Sequence, residues 1–167
     1  MVKIALTSLL TSSLFIGCSG HQAMEYFNKN EHYERAMTSL QIGSLVEGLK
    51  TKVIFKAIYL NQTYLKRYQE GENFFISTYI DGEPFDEMKK GLFYKKYALA
   101  LNGKKATKII ELSEDDPLRL DMPVTERWNR YYQVRFDEAT SNDLNLTFSH
   151  EKQGTIVLKY AKDELEK

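Results

Sequence analysis

From Gln41 onward, apolar and polar residues alternate with a period of two, the spacing that sends successive side chains to opposite faces of a strand. Ile42, Ser44, Val46 and Gly48 alternate with Gly43, Leu45 and Glu47. Thr51 to Leu60 is the strongest run: Val53, Phe55, Ala57 and Tyr59 share one face, and Ile54, Ile58 and Leu60 the other. Apolar residues on both faces predict a strand inside a sheet. Asn73 to Ile80 places Phe74, Ile76 and Ile80 opposite Phe75 and Tyr79, and Asp81-Gly82 stops it. Asn102-Gly103 lies between Tyr97–Leu101 and Thr107–Leu112. Asn-Gly between two apolar runs is a strong hairpin signal, so these runs are expected to pair. Tyr131 to Phe136 alternates again, with Tyr132, Val134 and Phe136 expected inward. A last hairpin sets Leu144, Leu146 and Phe148 beside Ile156, Leu158 and Tyr160 across Gln153-Gly154.

Before the strands the period is helical. Met24, Phe27, Met37 and Leu40 fall at helical spacings in a helix expected over Ala23 to Leu40, with Asn28 and Glu31 as a start signal. The stripe is narrow, so the helix should pack along the domain and not at its centre. One helix followed by about eight short strands predicts a mainly β fold. The architecture expected over residues 41–162 is an antiparallel β-sandwich, immunoglobulin-like, with a charged tail at 163–167. The inter-sheet disulfide of immunoglobulin domains is missing, so the likeness is architectural.

The first residues change the picture. Lys3 precedes an apolar run from Ile4 to Ile16, too short for a bilayer core that needs about 20 residues. It has the length and flanks of a secretory signal. It ends in Leu14-Phe15-Ile16-Gly17-Cys18, which holds the only cysteine of the chain. This stretch resembles the lipobox of bacterial lipoproteins: Gly17 is the small residue before Cys, while Phe15 stands where Leu is usual. The resemblance implies cleavage between Gly17 and Cys18 and acyl chains on Cys18, with Ser19 favouring the outer membrane. Residues 18–40 then form the lipidated Cys, a tether and the helix. A lone Cys in an exported chain has no internal disulfide partner, which agrees with that role.

Composition sets bounds on the rest. Residues 18–167 suffice for one domain with its own core. The chain carries 23 basic and 23 acidic residues, so it lacks the basic field that nucleic acid requires. The expected partners are the membrane, through the lipid, and another envelope protein.

Candidate chemistry lies in the long connections. Asn61 to Glu72 is basic and aromatic, with Tyr64, Lys66, Arg67 and Tyr68. Gly82 to Lys96 carries Met88, Phe93 and Tyr94. Ser113 to Asn129 holds Glu114, Asp115, Asp116 and Asp121, which with Glu111 offer either oxygen ligands for a cation or a solvated acidic turn. They lack EF-hand spacing, so the solvated turn is preferred. His21, His32 and His150 lack ligand spacing, so no structural metal is expected. No Gly-x-Ser-x-Gly or phosphate-loop motif occurs, so neither a cofactor nor catalysis is expected.

Arg127, Trp128, Arg130 and Tyr131 form the candidate recognition patch, since exposed aromatic and Arg residues are hot-spot types. The alternative, which weighs more, has Trp128 closing one end of the sandwich and Tyr132 in the core. The function expected is a non-catalytic interaction or assembly module on a lipid anchor. A hydrolase or binding module acting on cell wall or glycan, and a surface adhesin, are the alternatives.

Overall fold

The computed structural model of the chain describes residues 31–82 and 91–162. The expected signal segment, Gly17, Cys18, His21, Met24, Phe27, Met88 and the 163–167 tail lie outside the described residues. Two antiparallel sheets face one another. The first has the order β1 (Gln41–Glu47), β2 (Lys50–Tyr59), β3 (Glu72–Ile80), β7 (Arg130–Phe136), β6 (Lys108–Glu111). The second has the order β5 (Lys104–Lys105), β4 (Tyr97–Leu101), β8 (Asp143–His150), β9 (Gly154–Ala161). Helix α1 covers residues 31–39, α2 covers Leu60–Thr63 and α3 covers Pro117–Asp121. The architecture is the β-sandwich expected, with one more strand than the pattern suggested. Its first three strands run as a meander within one sheet, whereas immunoglobulin domains send strands B and C to opposite sheets.

The alternation explains the core. Val53, Phe55, Ala57 and Tyr59 of β2, Phe74 and Ile76 of β3, and Tyr132, Val134 and Phe136 of β7 point between the sheets. Leu144, Leu146, Phe148, Ile156, Leu158 and Tyr160 meet them from the second sheet. Phe55 stacks on Phe148 with centroids 4.8 Å apart. A second cluster covers the outer face of the first sheet. Ile58, Phe75 and Tyr131 supply its floor; Ala36, Leu60, Tyr64, Leu118, Met122 and Val124 supply its cover. This outer layer is why β3 is buried on both faces. Helix α1 touches it through Ala36 and leaves Met37 exposed. The Ser39 hydroxyl accepts the Tyr59 N–H at 2.9 Å, fixing the helix end to β2.

The pairing expected across Asn102-Gly103 is corrected. Both turn residues have positive φ (47° and 80°), as a tight reversal requires. The partner strand, however, is the two-residue β5 alone. The chain then leaves the second sheet: the Thr107 N–H donates to the Arg135 carbonyl at 2.8 Å, and Lys108–Glu111 pairs with β7. Ile109 still packs against the inter-sheet core, but from the opposite sheet. The turn fixes the reversal but not the partner strand.

The sheets approach most closely at β1 and β9. The Gln41 side-chain amide accepts the Lys159 N–H at 3.0 Å and donates to the Lys159 carbonyl, as a strand residue would. Gly43 permits this approach, because a Cβ there would lie 2.3 Å from Ile156 Cγ2.

Candidate functional site

The loop from Ser113 to Asn129 is ordered by its own residues. Asp116 caps α3 by accepting the Leu118 N–H at 2.8 Å, and Pro117 fits the first helical turn. Leu118, Met122 and Val124 are buried in the outer cluster. The chain then rises to the surface over Thr125–Trp128. Its base is pinned by the Tyr131 hydroxyl donating to the Glu126 carbonyl at 2.7 Å and by the Asn129 amide donating to Ser77 Oγ at 2.7 Å. Lys56 pairs with the Glu126 carboxylate.

Trp128 stands out on this base, 79% exposed, with the Arg127 guanidinium 5.8 Å from its ring. It does not close an end of the sandwich, whereas Tyr132 does sit in the core. Of the four patch residues, Arg127 and Trp128 come together at the surface. Tyr131 is 1% exposed and lies in the outer cluster beneath Arg119, so it presents no face to a partner. Arg130 pairs with Glu111 at 2.5 Å. The two aromatic neighbours in sequence, Tyr131 and Tyr132, feed the two separate cores, because β7 is covered on both faces.

Three of the five acidic residues have structural partners, while Glu114 and Asp115 are exposed. Glu111 holds Arg130, Asp116 caps α3 and Asp121 accepts the Tyr64 hydroxyl. No group of three or more His, Cys, Asp or Glu residues placed to hold a metal occurs among the described residues. His32 Nδ1 lies 3.1 Å from the Thr63 carbonyl, and His150 Nδ1 accepts the N–H groups of Lys152 and Gln153 at 3.2 Å each. His150 therefore organises the turn that follows β8, and His32 ties α1 to the end of α2.

The far end of the molecule sets the basic, aromatic Asn61–Glu72 connection against Lys108, Gln133 and Arg135, which the sequence pattern did not single out. Arg135 follows Arg130 by five residues, about 17 Å along β7. There the segment Lys66–Glu70 overhangs the outer face of the first sheet. Gly71 (φ 64°) returns this segment into β3, where a Cβ would meet the Phe136 carbonyl oxygen at 2.4 Å. The Asn61 amide donates to the Gly71 carbonyl at 2.8 Å and its oxygen accepts the Asn73 N–H at 2.8 Å, holding both ends of the loop.

Two grooves flank the overhang and share Tyr68 and Gln69. One, of about 430 Å³, has Asn73, Lys108, Ile110, Gln133 and Arg135 as its floor and Lys66–Glu70 as its wall. The register explains the floor: Asn73 pairs with Arg135, Lys108 with Arg135 and Ile110 with Gln133. The other, of about 400 Å³, is lined by Tyr59, Glu72, Glu138 and Lys162 among others.

Glu72 is 1% exposed. Its Oε2 accepts the Tyr59 hydroxyl at 2.5 Å; its Oε1 accepts the Ala139 N–H at 2.8 Å and faces Lys162 Nζ at 2.6 Å. A buried carboxylate requires such partners. Both oxygens are committed, so Glu72 closes the end of the sandwich and offers no free base to the groove beside it. The parity shared by Glu72, Phe74 and Ile76 was the available signal, since it places Glu72 on the inward face. The basic floor had no such signal, because it depends on β6 joining β7.

Comparison of the chain with protein-family models, with curated proteins and with solved structures gives no match.

Proposed function

We propose that the chain is a lipid-anchored, non-catalytic interaction module of a bacterial envelope, held through acylated Cys18 on the outer membrane and engaging another envelope protein. The anchor rests on the lipobox-like Leu14–Cys18. The partner surface rests on one observation: the only tryptophan of the chain stands 79% exposed beside Arg127 on a loop whose base is buried and bonded. A rigid aromatic presented on an ordered loop loses little freedom on binding, and Trp and Arg dominate interface energetics.

Crosslinking in intact cells, with identification of neighbours, tests the reading. The native chain should capture a defined neighbour, and Trp128→Ala should reduce that capture by about tenfold or more. Unchanged capture by a folded Trp128→Ala variant would remove the assigned surface. Mass analysis of the processed chain tests the anchor separately: it should find acyl groups on residue 18, and a free thiol there would remove the placement.

A further inference from the structure

We propose that the groove beneath Lys66–Glu70 is a binding site for a compact, doubly charged oxyanion of the phosphate-monoester type. The chain as a whole is electrically neutral, with 23 basic and 23 acidic residues. The groove is not: Lys66, Arg67, Lys108 and Arg135 line it, against the single carboxylate of Glu70. A concave wall of one sign focuses the field and raises the local concentration of the opposite ion. Outside these five residues the chain carries 19 basic and 22 acidic residues, a balance that favours a small dianion over a long polyanion. A volume of about 430 Å³ suits such a group with a small substituent.

The donors are available. Among the described residues Lys66 and Lys108 have no carboxylate within ion-pair distance, and Arg135 pairs only with Glu70, at 3.1 Å. Arg67 is held over the rings of Tyr64 and Tyr68, 5.7 and 5.4 Å from their centroids, and not against a carboxylate. Guanidinium groups present paired N–H donors that match the oxygens of phosphate. Arg135 in the groove is about 17 Å along β7 from Arg130, and the site does not depend on the Trp128 loop's role.

The probe is inorganic phosphate, titrated into the full lipidated chain in neutral detergent micelles at fixed ionic strength and followed by amide and side-chain NMR signals. Saturable shifts confined to residues 66–70, 108, 133 and 135 are expected. The double variant Lys108→Gln with Arg135→Gln should weaken binding by about tenfold. Trp128→Ala should leave the titration unchanged. The natural source is then separated by competition. Displacement of phosphate by phosphatidic acid doped into the micelles assigns a lipid headgroup; displacement by a sugar phosphate alone assigns a soluble ligand. Absence of saturable shifts, or shifts that persist undiminished in the folded double variant, would overturn the site.

Discussion

Glu72 shows how much one residue can organise. It lies at the start of β3 on the inward face, where Phe74 and Ile76 follow it into the core. Tyr59, the Ala139 N–H and Lys162 supply it with hydrogen bonds and a counter-charge. Lys162 Nζ also donates to the Ala139 carbonyl at 2.7 Å, so the carboxylate ties the end of the last strand to the segment after β7. Glu72→Gln keeps the shape but leaves the Lys162 ammonium without its anion. A loss of about 2 kcal/mol in unfolding free energy is expected from urea titration, less than for a fully buried pair because Lys162 is partly solvated. Glu72→Gln combined with Lys162→Met should recover part of that loss. An unchanged midpoint for Glu72→Gln would mean that the carboxylate contributes no more than an amide.

At the scale of elements, the sequence was most legible where neighbours in the chain decide the outcome. The β2 and β3 alternations, the turn at Asn102-Gly103 and the closing β8–β9 hairpin all follow from local periodicity and turn chemistry. The switch of β6 into the first sheet did not, because it is set by Ile109 meeting Val134 across 25 residues of chain. The closure of β1 on β9 is equally non-local and rests on Gly43. Gly43→Ala forces a methyl into Ile156 Cγ2 and should cost about 1–3 kcal/mol. Ile156→Ala also destabilises, by loss of buried contact. The double variant should cost less than the two singles together, since the clash is gone; strict additivity in chemical denaturation would show that the two strands do not press on one another.

The whole molecule is a sandwich with a third, thinner layer, and tyrosines hold its layers together. Tyr64 lies under the overhanging loop; burial, and then its hydrogen bond to Asp121, push its phenol well above the ordinary value of 10.0. Burial alone pushes Tyr160 in the same direction, and its hydroxyl donates to the Ala57 carbonyl of the facing sheet at 2.7 Å. Burial also raises Tyr131, in the outer cluster. A phenol whose folded pKa is raised holds its proton more tightly than in the unfolded chain. Its contribution to stability is therefore intact below about pH 10 and is lost as pH climbs toward the folded value. Alkaline titration at the phenolate absorbance should show a late phase, in which the buried tyrosines ionise together with loss of circular dichroism. One phase with the fold retained would contradict the buried placement. The existence of the outer layer was only half legible. The apolar residues on both faces of β2 and β3 demanded a cover, but nothing local said that α1, α2 and the α3 loop would provide it.

Gln41 has a consequence for crowding. Exposed strand edges are templates on which further chains can zip up. Confined to a bilayer plane by the proposed anchor, copies would meet far more often than in free solution. By occupying the Lys159 peptide group with a side-chain amide, the fold blunts one flank of the second sheet against neighbours of its own kind.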